Sequence, residues 1–181
     1  LYQSLPKASL GLKPIKIGII PTSTVEHFAD VFKFWLAKVG FDADLFHSQN
    51  NVMDQTVLDL SGALYDFKPD IVWLFSNYRD VMVPISPGCS FETVADQVQD
   101  SVDRFVSLWG FLQQNSSAYI IQNNADIVIE RIFGNYEGTV CWGRSNLLRR
   151  FNIKLSQCVM SGVTIFDQDY ISSLYGKRFW Y

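Results

Sequence analysis

The sequence is poor in histidine and cysteine and has no block of like charge. Among its 181 residues are two His, three Cys and 15 Lys+Arg against 18 Asp+Glu, a formal net charge of −3. Without a basic run or stripe it lacks the electrostatic footprint of a nucleic-acid binder or of a chain drawn to an anionic membrane. No stretch approaches the roughly 18 consecutive apolar residues of a membrane span. The N-terminal residues carry Lys7, Lys13, Lys16, Pro6 and Pro14 where a signal peptide would have an apolar block. A soluble, cytoplasmic protein with neither nucleic acid nor membrane as partner is therefore expected. Cys89, Cys141 and Cys158 are odd in number and widely spaced, with no CxxC and no Cys/His pair of zinc spacing. They read as reduced thiols that fill apolar space, and no metal is expected. GxxxxGK[ST] and GxGxxG are missing too, so P-loop and dinucleotide sites fail at their first requirement and no cofactor is expected.

What the chain does have is apolar material: 48% hydrophobic residues, including 14 Phe, 8 Tyr and 5 Trp. That share excludes intrinsic disorder. The length suits one domain, which would bury roughly 70% of its unfolded surface.

Residues 1–14 show no periodicity and carry Pro6, Gly11 and Pro14, so they read as an N-terminal arm leading into a domain over 15–181. From Ile15 strand and helix signals alternate. Ile15 to Ile20 is a short β-branched run stopped by Pro21. Val25, Phe28, Phe32, Trp35, Leu36 and Val39 then share one helical face that ends at Gly40. Ser23 and Glu26 have capping-box spacing. Phe41 to Phe46 predicts a second strand, Leu58 to Tyr65 a short helix closed by Lys68-Pro69, and Ile71 to Phe75 a third strand. Pro84, Pro87 and Gly88 mark a loop. A long amphipathic helix from Ser90 carries Val94, Val98, Val102, Phe105, Trp109 and Leu112. Ala118 to Ile121 predicts strand four, a helix runs from about Ser145 to near Gly162, and Val163 to Phe166 predicts strand five, ended by Asp167-Gln168-Asp169. Trp35, Phe105 and Trp109, at helical spacing, are expected in the core. Strands separated by helices imply βαβ units. The expected fold is a three-layer, doubly wound parallel sheet of five strands in flavodoxin-like order 2-1-3-4-5.

In such sheets ligands bind outside the carboxyl ends of the strands, at the switch point of strand order. Those ends are all polar here. Thr22-Ser23-Thr24 enters a helix N-terminus, where an anion is favoured. Ser23 there is either a helix cap, a nucleophile or part of a phosphate or flavin-phosphate cradle. Ser76, Asn77 and Arg79 follow the third strand and Asn123 the fourth, completing a candidate ligand-binding set of Thr22, Ser23, Thr24, Ser76, Asn77, Arg79 and Asn123. Asn77 is a candidate oxyanion donor. His27 and His47 fall on the first helix and at the end of the second strand, so neither follows the last strand as a catalytic base would. Asp167-x-Asp169 looks like the opening of a haloacid-dehalogenase motif without its continuation, and Asp167 is expected to cap the turn after it. Arg178-Phe179-Trp180-Tyr181 is an unusually aromatic end, suited to packing on a further domain.

Four strings resemble the N-terminal region of FkbH-like proteins over about residues 15 to 181. They are Lys38-Val39-Gly40-Phe41-Asp42-Ala43-Asp44, Ser61-Gly62-Ala63-Leu64-Tyr65-Asp66-Phe67-Lys68-Pro69-Asp70, Phe133-Gly134-Asn135-Tyr136-Glu137-Gly138 and Gly176-Lys177-Arg178-Phe179-Trp180-Tyr181. The resemblance implies an SGNH-hydrolase-like domain followed, in the full-length protein, by a haloacid-dehalogenase (HAD)-type domain. It implies a place in polyketide or surface-polysaccharide biosynthesis, where family members load a glyceryl unit onto an acyl carrier protein. The catalytic Asp of that reaction lies in a DxDxT motif of the second domain, which this chain does not contain. On the SGNH pattern Ser23 stands at the nucleophile loop, Asn77 at the oxyanion position and Asp167 at the terminal Asp-x-x-His, with Tyr170 where His should be. The resemblance thus implies a degenerate SGNH domain acting in binding or docking, with Arg79, Arg144, Arg149 and Arg150 as candidates to meet an acidic carrier. An active esterase or acyltransferase with Ser23 as nucleophile, and a flavodoxin-like phosphate or flavin binder, are the alternatives.

Overall fold

The computed structural model describes residues 11–81 and 85–180. Most of the N-terminal arm, Pro84 and Tyr181 lie outside the described residues. Five strands, β1 (Lys13–Pro21), β2 (Phe41–His47), β3 (Ile71–Phe75), β4 (Tyr119–Asn123) and β5 (Val163–Phe166), form an all-parallel sheet in the order β2-β1-β3-β4-β5. This is the order expected from the alternation of apolar runs and helical periods. In parallel sheets whose order reverses in this way, right-handed crossovers place helices on both faces. Contacts divide the chain into two compact units, one of residues up to Phe75 with Phe111–Ile120, the other of Ser76–Gly110 with residues from Ile121 on.

In the first unit, β1 lies between β2 and β3, with Ile17 opposite both Leu45 and Ile71. Its second half is buried throughout, as expected of a strand covered on both faces. Gly18 is needed for space: a Cβ there would lie 2.9 Å from Leu64 Cδ1 and 3.6 Å from the Pro69 ring. Helix α1 (Glu26–Lys38) follows. The capping box does not form, since the helix starts at Glu26 with Val25 in the cap position and no side-chain bond there; Ser23 is too far upstream to reach the amides of the first turn. Phe28 and Phe32 pack on Trp73 at 5.8 and 5.5 Å between ring centroids. Trp35 is not core: it is 58% exposed, edge-on to Phe34 with Lys38 over both rings.

The single helix expected over Leu58 to Tyr65 is instead two, α2 (Met53–Leu58) and α3 (Ala63–Phe67). The break is local chemistry: the Asp59 carboxylate accepts the Ser61 N–H at 3.1 Å and the Ser61 hydroxyl at 2.7 Å, an alternative to continued helical bonding.

The second unit holds most of α4 (Phe91–Asn115), whose Val94, Val98, Val102, Phe105 and Trp109 are buried as their spacing predicts. Strand β4 runs two residues past the expected end, through buried Gln122 and Asn123. Helix α5 (Arg144–Gln157) turns Leu147, Leu148, Phe151 and Leu155 inward. Two further helices, α6 (Gln168–Tyr175) and α7 (Lys177–Trp180), follow β5 where no helix was expected. Asp167 caps α6 as anticipated, accepting the Tyr170 N–H at 3.0 Å. Trp180 turns back onto its own unit, its indole N–H donated to Asp126 at 3.2 Å, whereas Phe179 is 74% exposed. No helix among the described residues is long and apolar enough to cross a membrane.

Candidate functional site

In the first unit the loop after β1 is tied down on both sides of Ser23. Thr22 donates its N–H and its hydroxyl to the Phe75 carbonyl at 3.2 and 3.3 Å, and Thr24 accepts from the Asn50 amide at 3.3 Å. Ser23, half-buried, makes no hydrogen bond among the described residues, so neither His27 nor His47 is joined to it. Both histidines are exposed. His47 lines an open cleft with Gln55 and Asp59.

In the second unit the polar residues at the strand ends bond to each other. The Ser76 hydroxyl accepts from Gln122 Nε2 at 2.8 Å and donates to the Asn123 carbonyl at 3.4 Å. Asn123 donates its amide to the Ser76 carbonyl at 3.1 Å and to Gln168 Oε1 at 2.5 Å. Gln122 in turn accepts the Trp109 indole N–H at 3.2 Å. Ser76, Gln122, Asn123 and Gln168 are all buried, and a network of this kind fixes a unique arrangement because every unmade bond within it is costly. The structure therefore joins Ser76 to Asn123, while Asn77 faces its own turn: its Oδ1 accepts the Arg79 N–H at 2.9 Å and its N–H goes to Asp80 at 2.7 Å. Asp167 pairs with the Asn124 amide at 2.8 Å as well as capping α6. Tyr170, in the position of the SGNH histidine, is exposed.

The same unit contains a cavity of about 290 Å³. It is lined by Val81 and Ile85, by Leu147 and Leu148 of α5, and by the edge-to-face pair Phe133 and Trp142, whose rings are 5.1 Å apart. Tyr78 and Arg144 complete it, the guanidinium 4.7 Å from the ring centroid. Arg79 sits 5.5 Å from the same ring and donates to its hydroxyl at 3.1 Å. Two guanidinium groups thus share one phenol, a cation–π arrangement that positions both of them beside one ring.

Glu137 borders the cavity and is 1% exposed. It sits in the 3-10 turn Gly134–Thr139 and reaches the start of α5, accepting the Ser145 N–H at 3.0 Å and the Ser145 hydroxyl at 2.9 Å. Burial alone would raise its pKa. The bonds from Ser145 and from the backbone of Phe133 and Ile132 outweigh burial and hold the carboxyl below its ordinary value. Sequence reasoning missed Glu137, Gln122 and Gln168. The signals were present as a lone acid in the Phe133 to Gly138 string and a polar run continuing an apolar strand.

Arg149 and Arg150 do not join Arg144: at 100° per residue they project about 140° and 120° away around α5. Arg150 lies over Phe91 at 4.4 Å and Arg149 donates to Asn146 at 3.1 Å. The three cysteines are free and half-buried. Among the described residues no group of three His, Cys, Asp or Glu side chains gathers to hold a metal ion.

The family described as FkbH, N-terminal domain, matches residues 16–179. No curated protein matches the chain. Among solved structures, the N-terminal part of the protein BF1531 from Bacteroides fragilis, containing a phosphatase domain and complexed with Mg, is similar at a TM-score of 0.77 and 20% identity. The alignment covers 94% of this chain and 45% of that one, so the chain spans less than half the length of that neighbour, and the likeness is one of fold.

Proposed function

The chain belongs to the FkbH N-terminal domain family, and from that premise we propose that it is the recognition part of a larger cytoplasmic biosynthetic protein. In this reading it docks an acidic acyl carrier protein, while a phosphatase-type domain of the HAD class, following residues 15–181, performs glyceryl or acyl transfer. The products would belong to polyketide or surface-polysaccharide pathways. The observation that carries the reading is the pair of arginines, Arg79 and Arg144, both held against the ring of Tyr78. Guanidinium groups positioned by stacking recognise carboxylates with little further ordering.

A degenerate SGNH site fits the same reading. Ser23 has no base bonded to it among the described residues, and Asp167 is engaged with Asn124 and the first turn of α6. A nucleophilic serine needs a base in hydrogen-bond reach, itself oriented by a third group. The free hydroxyl of Ser23 is what favours the second reading, an esterase or acyltransferase.

Titration with an acidic acyl carrier protein at low and moderate salt tests the docking role. Affinity is expected to fall with salt and by about tenfold in Arg79→Glu, with a smaller loss in Arg149→Glu. Affinity that ignores both salt and Arg79→Glu removes the proposal.

A further inference from the structure

The cavity beside Tyr78 combines carbon walls with a cation, Arg144, that has no acidic partner among the described residues. Val81, Leu147 and Leu148 are buried, and Ile132, which also borders the cavity, is 76% exposed. Arg144 forms no ion pair among the described residues, and its guanidinium is held by the Tyr78 face. Stacking occupies the face of a guanidinium and leaves its N–H edge for a planar acceptor. At about 290 Å³ the space lies at the lower limit of roughly 300–1,000 Å³ for small-molecule sites, so its occupant is compact.

From this geometry we propose that the cavity binds a small hydrophobic monocarboxylate, with its apolar body against Val81, Ile85, Leu147 and Leu148 and its carboxylate on Arg144. A cationic amphiphile is the competing occupant, since Glu137 also borders the space and aromatic rings stand beside it. Glu137 is already engaged: its carboxylate accepts two bonds from Ser145 and further backbone bonds from Phe133 and Ile132. An ammonium group would have to displace these donors, whereas a carboxylate displaces nothing at Arg144. A neutral alcohol would fill the walls but leave Arg144 without a charged acceptor. The site shares Arg144 with the docking role but asks nothing of Arg79 or of a carrier protein, so binding of a free carboxylate is tested apart from docking.

Calorimetric titration with octanoate, octanol and octylamine tests it, on the full chain and on Arg144→Gln and Ile85→Trp. Octanoate is expected to saturate a single site, at least tenfold tighter than octanol, with no saturable heat from octylamine. Arg144→Gln is expected to weaken octanoate about tenfold and leave octanol unchanged, the loss of one charged hydrogen-bonded partner. Ile85→Trp, which fills the space and keeps the charge, is expected to abolish both. The proposal is overturned by octanoate that does not saturate, by octanol or octylamine binding as tightly, or by octanoate affinity that survives either variant with its fold intact.

Discussion

Gly143 gives way to Glu137: a Cβ at residue 143 would press on the Glu137 carbonyl oxygen and lie 2.8 Å from Glu137 Cγ. The backbone of Gly143, at φ −62°, suits any residue, so what it supplies is space. Through that space the 3-10 turn lays its buried carboxylate against the second amide of α5, that of Ser145, where the helix dipole favours an anion.

Gly143→Ala is therefore expected to destabilise the protein by about 1–3 kcal/mol, the usual cost of overpacking. A lower urea midpoint at constant slope is the signature. A midpoint shift corresponding to under about 0.5 kcal/mol would show that the turn yields freely.

Glu137 makes stability depend on pH in the acid range. Its folded pKa is lowered, so its contribution is complete above its ordinary value of 4.5 and is lost as pH falls through the lower folded value. Glu137→Gln replaces an acceptor by a donor facing backbone N–H groups and is expected to cost about 1–3 kcal/mol at neutral pH. Below the folded pKa the wild-type carboxyl is protonated too, so the gap narrows. Denaturant melts of both proteins from neutral pH down to about pH 3 decide this; a gap of constant size contradicts the assignment.

Gln122 joins the indole of Trp109 to the hydroxyl of Ser76. Gln122→Leu keeps most of the volume but leaves both buried groups without that partner, for an expected loss of about 3 kcal/mol. Ser76→Ala removes one partner only and is expected to cost less. Equal midpoints for the two variants would break the network reading.

The strand order was legible because each buried strand is a short apolar run and each helix changes the period, from Ile15 to Phe166. Burial along α1 was not. Periodicity marks a face of the helix, but only the packed structure shows that Phe28 and Phe32 meet Trp73 while Trp35 does not stay covered. The candidate site was legible as a set of positions and not as a set of bonds. Ser76 and Asn123 are polar residues at strand ends, and sequence does not distinguish polar groups that await a ligand from those that satisfy one another. A lone acid in a glycine-containing loop likewise reads as solvated until its burial is seen, as at Glu137.

Ser23 offers a direct check on catalysis. It is half-buried and bonds to nothing among the described residues, so Ser23→Ala is expected to change stability by less than about 0.5 kcal/mol. With no base bonded to it, the hydroxyl should resist a fluorophosphonate probe. Labelling that disappears in Ser23→Ala would instead support the esterase reading.

Asp126 serves two elements, accepting the Tyr78 N–H at 3.2 Å on one oxygen and the Trp180 indole N–H at 3.2 Å on the other. Beside it, Lys177 donates to Asp169 at 2.5 Å and to Ser172 at 2.6 Å, so α7 is fastened at both ends. Trp180→Phe keeps the ring and removes one bond, for an expected cost of about 1 kcal/mol and faster amide exchange confined to α7. Asp126→Ala removes the acceptor for both donors. It should cost more than Trp180→Phe and also expose the Tyr78 amide, loosening the turn that carries Arg79 and the ring under Arg144. If carboxylate binding needs that ring to hold the guanidinium, Asp126→Ala weakens octanoate and Trp180→Phe does not. Equal exchange at Tyr78 in the two variants would mean that Asp126 anchors the C-terminal helix alone.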